Sequence, residues 1–88
     1  MWFVYLIQQL PSKDIYVGFT GDMEERLKAH NSGQNKSTKR LNGSWRIVYY
    51  ENFLSEADAR ERERKLKNHR KGLQLLKERL KNSLESGV

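Results

Sequence analysis

An unbroken apolar run near the start of the chain, residues 2–7 (WFVYLI), constrains the fold most strongly. Its aromatic and β-branched residues favour extended structure, and a strand with no polar alternation is covered on both faces. The chain has 88 residues and is 36% hydrophobic, which suffices for one modest core in a single domain. We therefore expect this run to be a buried core strand, with a dimer edge as the alternative.

The rest of the chain predicts a small sheet with helices packed around it. Two further strands are expected over residues 14–19 and 45–53. Helices are expected over residues 22–30 and from residue 55 to about residue 84, with a break at Gly72. The predicted fold class is α/β (α+β), a three-stranded antiparallel sheet flanked by helices in the order β-β-α-β-α-α. Residues 1–84 are expected to form one domain, and residues 85–88 a frayed tail.

Turn and cap positions add detail to this prediction. The first hairpin is expected to pair Tyr5 with Tyr16. That register pairs Gln8 with Lys13 and leaves a plausible four-residue loop.

The first two helices have recognisable N-caps. Asp22 is expected to begin the first helix, with Glu25 three residues later. Ser55 is expected to begin the second, with Asp58 in the same relative position. In such a capping box the cap side chain accepts a hydrogen bond from a backbone N–H of the first turn.

The sequence contains no cysteine. A disulfide scaffold, a cysteine zinc finger, an iron–sulfur site and a thiol nucleophile are therefore excluded. The two histidines, His30 and His69, cannot build a structural zinc site alone. The apolar N-terminal run is too short to cross a bilayer, and no basic segment precedes it. We therefore expect a cytoplasmic protein with no membrane partner.

Positive charge is concentrated in the C-terminal part of the chain. Seventeen Lys and Arg residues stand against eleven Asp and Glu, a net charge of +6. Residues 1–55 carry seven basic and five acidic groups, whereas residues 56–81 carry ten basic and five acidic groups. A basic surface of this kind attracts polyanions, nucleic acid above all. The alternative from charge alone is a solvated helix kept soluble by its own ion pairs.

A carboxylate interrupts the apolar stripe of the long C-terminal helix. The stripe residues recur at helical spacing: Ala59, Leu66, Leu73, Leu76 and Leu80. Glu63 falls between Ala59 and Leu66 on this stripe, whereas Glu61 points away. An inward carboxylate is costly unless it is paired or binds a metal. Two interpretations stay open: an ion pair with Lys67 one turn later, or a metal ligand.

Other chemically active side chains lie on neighbouring elements. Arg26 and His30 are four residues apart on the first helix and share a face, which suits an anion such as phosphate. The alternative is an ordinary amphipathic helix whose arginine reaches water. Two interpretations of Tyr5 and Tyr16 stay open: half-buried packing residues with the hydroxyl at the rim, or two phenols side by side on facing strands. A phenol acts as a base only near cations or a metal. Gly18 permits a close backbone approach beside them.

Several short segments carry a family resemblance through their order along the chain. They are residues 4–6 (VYL), 16–18 (YVG), 30–33 (HNSG), 36–38 (KST), 47–51 (IVYYE), 62–67 (RERKLK) and 79–82 (RLKN). Together with the R-x-x-x-H spacing of Arg26 and His30, they resemble the small single-domain bacterial members of the GIY-YIG nuclease superfamily. The resemblance covers residues 2–84. Val4 replaces the Gly of the first half-motif, and Val17 replaces the Ile of the second.

The resemblance implies a metal-dependent endonuclease that hydrolyses phosphodiester bonds in nucleic acid. It implies that Glu63 binds one divalent ion, Mg²⁺ or Mn²⁺, and that Arg26 holds the scissile phosphate. Tyr5 or Tyr16 would take a proton from the attacking water or orient it. His30 would act as a second acid–base group or as a phosphate contact. The sequence does not divide the roles of the two tyrosines.

Further nucleic-acid contacts are expected outside this set. They are Gly18 and the basic residues Lys36, Lys39, Arg40, Arg64, Lys67, Arg70 and Lys71. Asn82 is a candidate additional site residue, and Asn68 a poorer one. Contacts to phosphate position nucleic acid without reading bases, so we expect salt-dependent binding and selection of structure rather than sequence. The expected substrate is DNA, as in DNA repair, with a protein partner as a possible source of targeting.

Two other functions compete with the nuclease. One is a nucleic-acid-binding module without catalytic activity, which should keep its affinity without metal and without Glu63. The other is a small protein-interaction domain with a solvated charged helix, which should show no salt-dependent binding to nucleic acid.

Overall fold

A computed structural model describes residues 1–10, 12–32 and 44–85. The strands are β1 (Trp2–Leu10), β2 (Ile15–Thr20) and β3 (Ser44–Phe53). The helices are α1 (Met23–Asn31), α2 (Glu56–Asn68), α3 (Arg70–Arg79) and α4 (Lys81–Glu85). The three strands form an antiparallel sheet in the order β2-β1-β3, which confirms the predicted fold class. The predicted element order does not include the short helix α4 as a separate element. Glu85, the first residue of the predicted tail, belongs to this helix. Residues 86–88 lie outside the described residues.

The apolar run forms the central strand, as predicted. Both faces of β1 are covered, and every residue from Val4 to Gln9 is buried. The strand continues to Leu10, into the four-residue loop expected after Gln8, and the buried Gln8 amide has hydrogen-bond partners there. Its Nε2 donates to the Leu84 carbonyl at 3.0 Å, and its Oε1 accepts from Arg46 at 2.8 Å. These bonds offset the cost of burying a polar side chain.

The register of the first hairpin differs from the prediction. Tyr5 pairs with Gly18, and Ile7 pairs with Tyr16, so the expected pairing of the two tyrosines is wrong by two residues. The strands instead close around Lys13, whose φ of 66° lies in the left-handed region. A shift of two residues keeps each side chain on its original face, so both tyrosines still share one face of the sheet.

Both predicted N-caps are present. The Asp22 side chain accepts from the Glu25 N–H at 3.1 Å, and Ser55 Oγ accepts from the Asp58 N–H at 3.4 Å. The reciprocal arm of the first box is replaced, because the Asp22 N–H donates to Thr20 Oγ1 at 3.0 Å.

The break in the long helix lies at His69, which corrects the prediction of a break at Gly72. His69 is extended, with φ −117° and ψ 96°, and it separates α2 from α3. Gly72 lies inside α3 in helical conformation. The extended residue turns α3 relative to α2, so that Leu66 and Leu76 reach the same core.

The core has one part on each face of the sheet. The first packs β1 and β2 against α2 and α3, and all of the predicted stripe residues take part in it. The second is centred on Tyr5, Ile7 and Trp45, with Met23 and Leu27 of α1 packed against it. Within the described ranges, no helix is long and apolar enough to cross a membrane.

Candidate active site

The centre of the candidate site is the phenol ring of Tyr5 on β1. Tyr5 is 1% exposed, and its Cα is paired with that of Gly18 on β2. A Cβ built on Gly18 would collide with Cζ and Oη of this ring. The ring therefore lies directly against bare backbone, and only glycine leaves room for it. The close approach expected at Gly18 is thus made by Tyr5, and a nucleic-acid contact there stays a prediction.

His30, in the last turn of α1, meets both tyrosines. Tyr5 Oη lies 3.0 Å from His30 Nε2, and the Tyr16 ring packs edge-on against the imidazole with centroids 4.8 Å apart. Trp45 completes the cluster, with its ring centroid 6.3 Å from that of His30. The structure therefore brings the two tyrosines and the histidine together, despite the changed register.

Burial controls the protonation of this cluster. It raises the pKa of the Tyr5 phenol well above its ordinary value, and nearby Tyr16 and Glu63 raise it further. Burial also lowers the pKa of His30, and the positive charge of Arg26 lowers it in the same direction. At neutral pH the phenol is therefore protonated and the imidazole neutral. In this state the phenol donates to Nε2 when the imidazole proton is on Nδ1.

The lowered pKa of His30 makes a testable contribution to stability. As the pH falls, the unfolded chain takes up a proton at His30 near the ordinary pKa of 6.5, whereas the folded protein takes it up only at lower pH. The contribution is therefore fully present above pH 6.5 and is lost as the pH falls through the folded pKa. We expect His30→Gln to flatten the fall in urea unfolding midpoint between about pH 7.5 and about pH 5.5. His69→Gln, at an exposed position, is the control, and equal flattening by both changes would contradict the assignment.

Arg26 provides a positive charge at the rim of the site. It is exposed on α1, one turn before His30, and lines a cleft of about 310 Å³ with Thr20, Asp22, Glu25 and Ala29. Its charge lowers the pKa of both Tyr5 and His30, so it acts on the buried cluster and on the open cleft at once. This position suits an anion bound at the mouth of the site.

Glu63 reaches the site from α2. Its side chain is 22% exposed and forms an ion pair with Lys67 Nζ at 3.0 Å, the pairing considered from the sequence. Lys67 Nζ in turn lies 5.5 Å from the centroid of the Tyr16 ring. The carboxylate therefore lies at the β2 edge of the sheet, close enough to the Tyr5 phenol to raise its pKa. Glu61 is exposed and points away, as expected.

The carboxylate of Glu63 fits one kind of metal site. The described part of the chain contains no group of three or more His, Cys, Asp or Glu side chains that could share an ion. Mg²⁺, however, is commonly held by one or two carboxylates, with water and substrate phosphate completing its shell. A single, half-buried carboxylate beside a cationic rim fits such a hydrated ion, and it does not fit an all-protein cage.

The other residues predicted to contact nucleic acid lie outside this cluster. Arg64 is exposed and donates to Glu61, and Arg70 and Lys71 are exposed at the start of α3. Lys36, Lys39 and Arg40 lie outside the described residues. Asn82 is exposed on α4, and the structure gives its side chain no hydrogen bond to the cluster residues. Asn68, the last residue of α2, is also exposed.

Sequence reasoning missed the residue that fastens α1 to β3. The Asn31 side chain accepts from the Trp45 N–H at 2.7 Å and donates to the Trp45 carbonyl at 3.2 Å. These two hydrogen bonds to the backbone fix the end of α1, and with it His30, beside the sheet. Nothing in the local pattern distinguishes Asn31 from an ordinary helix-ending residue, because its partner lies fourteen residues away.

Comparison with known proteins identifies the family. The sequence profile described as the GIY-YIG catalytic domain matches residues 1–79. A UPF0213 protein of Clostridium perfringens is 35% identical over 63 residues, covering 72% of this chain and 67% of the relative. A UPF0213 protein of Staphylococcus aureus is 30% identical over 79 residues, covering 88% and 95%.

A solved structure is similar over most of the same length. The solution NMR structure of a UPF0213 protein from Bacillus halodurans matches with a TM-score of 0.52 and 32% identity. The match covers 86% of this chain and 83% of that protein. The profile spans both tyrosines, the arginine, the histidine and the glutamate of the cluster described above. The chain therefore belongs to the GIY-YIG family of nucleases.

Proposed function

We propose that this protein is a metal-dependent endonuclease that hydrolyses phosphodiester bonds in nucleic acid, with DNA of particular structure as its substrate. The observation that carries the proposal is the placement of Tyr16, Arg26 and Glu63 around the hydrogen-bonded pair of Tyr5 and His30. Each supplies a group that phosphodiester hydrolysis uses: a proton acceptor or donor, a cation for phosphate, and a carboxylate for a metal ion.

The two tyrosines differ in exposure, and we assign them different roles on that basis. Tyr5 is buried and its raised pKa keeps it protonated, so it orients His30 and does not act as a base. Tyr16 is only partly buried and lies between His30 and Lys67, where it can reach a water molecule at the surface. We therefore assign the attacking water to Tyr16.

The charged residues act on the phosphate. Arg26, at the mouth of the cleft, binds the scissile phosphate and stabilises the negative charge of the transition state. His30, neutral at neutral pH, is able to accept or donate a proton beside it. Glu63 would hold the metal, and the chemistry that a divalent ion would supply there is stabilisation of the negative charge on the leaving oxygen. Lys67 forms an ion pair with this carboxylate, and its ammonium group lies 5.5 Å from the centroid of the Tyr16 ring.

Surface cations extend the binding face. Arg64, Arg70 and Lys71 are exposed on α2 and α3, and together with Lys67 they bind phosphates without selecting bases. The proposal includes binding that weakens steeply with salt, a cytoplasmic location, and a role in DNA repair with targeting by a partner protein. Contacts from Lys36, Lys39 and Arg40 are part of it as well.

One observation favours a second function, nucleic-acid binding without cleavage. Glu63 is already paired with Lys67, and the described residues contain no group of three or more His, Cys, Asp or Glu side chains that could hold an ion. A protein of this kind would bind nucleic acid equally well with and without a divalent ion.

A cleavage assay on labelled single strands, duplexes, flaps and junctions of DNA and RNA separates the two functions. We expect product with Mg²⁺ or Mn²⁺ and at least about 100-fold less after chelation, because the ion supplies several kcal/mol of transition-state stabilisation. Binding of the same substrates is measured in parallel without metal. Salt-sensitive binding without cleavage under every metal condition would favour the binding module instead.

A further inference from the structure

A cationic cleft lies on the side of α2 away from the candidate active site. Arg62 reaches Glu51 on β3, whereas Lys67, further along the same helix, reaches Tyr16 on β2. Because β2 and β3 are opposite edges of the sheet, the two arrangements face different sides of the molecule. The cleft lies between α2 and α3 and has a volume of about 200 Å³. Its lining residues are Arg62, Gly72, Leu75, Leu76 and Arg79.

One arginine of this cleft is held in place. Arg62 Nε lies 3.0 Å from Glu51 Oε1, and Arg62 Nη2 lies 2.9 Å from Glu51 Oε2. Tyr49 Oη donates to the same carboxylate at 2.8 Å, which fixes its position further. The guanidinium is therefore oriented before any ligand arrives, and the side chain loses little further entropy on binding.

The second arginine leaves the cleft with surplus positive charge. Arg79, at the end of α3, is exposed and forms no ion pair or side-chain hydrogen bond with any residue that the structure describes. Glu51 neutralises only one of the two guanidinium groups, so the cleft keeps one net positive charge. Two guanidinium groups at one cleft are a common arrangement for an oxyanion.

Gly72 opens the floor of the cleft. A Cβ built there meets no atom within 4 Å, and the residue has helical conformation. Neither packing nor backbone geometry therefore accounts for a glycine within α3, where glycine is less favourable than alanine. The missing side chain instead lets a ligand approach between Arg62 and Arg79. Leu75, 52% exposed, adds an apolar wall beside them.

We propose that this cleft binds a phosphate group of a nucleotide chain, with the attached sugar against Leu75. The site is separate from the proposed nuclease centre and needs neither Glu63 nor a metal ion. An internal phosphodiester and a terminal phosphate share this chemistry. Either would anchor nucleic acid on the face of α2 opposite the site of cleavage.

The test is an NMR titration of isotope-labelled protein without divalent ions, in which the Gly72 amide and the Arg62 and Arg79 side-chain signals are followed. The probes are inorganic phosphate and a short single strand with or without a 5′-phosphate. We expect Arg79→Gln to weaken binding of the strand at this site at least about tenfold, since a charged hydrogen-bond donor to the phosphate is lost. Lys77→Gln, which removes the same charge from the same helix, is the matched control.

Gly72→Leu gives an independent arm. Open space surrounds the position and leucine favours helix, so this variant should keep its fold while its side chain fills the cleft. Loss of the signal changes in Gly72→Leu and Arg79→Gln, but not in Lys77→Gln, supports the proposal. A preference for the 5′-phosphorylated strand assigns a terminal phosphate, and equal binding of both strands an internal one. Equal weakening by Lys77→Gln, or unchanged binding in Gly72→Leu, would overturn the proposed phosphate site, whatever the cleavage assay shows.

Discussion

Replacing Glu63 with glutamine should reduce metal-dependent cleavage at least about 100-fold, while the protein keeps its fold and its metal-free affinity for nucleic acid. Glutamine has the shape of glutamate but lacks the charge that attracts a divalent ion. The side chain is partly exposed, so the change buries no new polar group. The measurement is the single-turnover cleavage rate at saturating substrate, with the unfolding temperature as a check on the fold.

Glu61→Gln is the matched control for this prediction. Glu61 lies on the same helix and is exposed, and its carboxylate bonds to Arg64 outside the candidate site. A surface substitution of this kind is expected to change the rate by about twofold or less. A similar loss of cleavage in both variants would show that overall charge, and not the position of Glu63, is responsible.

Lys67→Gln separates the carboxylate from its ion pair. This change also breaks the Glu63–Lys67 pair, but it leaves the carboxylate in place. We expect weaker binding at low salt, because a phosphate contact is lost, together with retained metal-dependent cleavage at saturating substrate. If Lys67→Gln were as inactive as Glu63→Gln, the ion pair itself would be the functional unit.

The strongest predictions from the sequence concern elements whose pattern is locally complete. The apolar run had to be buried on both faces, and the sheet places it in the centre. Asp22 and Ser55 act as caps because their partners lie three residues away. The helical spacing of Glu63 placed it beside the core, and the structure puts it there. In each case the determining contacts lie within a few residues along the chain.

What the sequence could not predict depends on contacts between distant segments. The hairpin register depends on a left-handed conformation at Lys13, which the residue type does not predict. The helix break at His69 follows from how α2 and α3 share a core, whereas Gly72 carried the only local signal of a break. The difference between buried Tyr5 and partly exposed Tyr16 likewise depends on where α1 lies across the sheet.

Gly18→Ala should destabilise the protein and disrupt the candidate site together. The added methyl group would occupy the space of the Tyr5 ring, which is buried and has no free volume to enter. Overpacking of this kind costs about 1–3 kcal/mol, which corresponds to a fall in unfolding temperature of about 10 °C for a domain of this size. The displaced ring should also lose its 3.0 Å contact with His30. Thermal unfolding and the NMR signals of the His30 imidazole measure the two effects.

Gly72→Ala should have the opposite effect, because its Cβ meets nothing and alanine favours the helix. A rise in unfolding temperature of about 5 °C is expected from about 1 kcal/mol.

In a Tyr5→Leu background, where the ring is absent, Gly18→Ala should cost much less than in the wild type, since the two side chains no longer compete for one space. An unchanged cost in that background would place the strain in the β2 backbone rather than in the ring. The position of the Tyr5 phenol would then be independent of Gly18, and its contact with His30 should survive in Gly18→Ala.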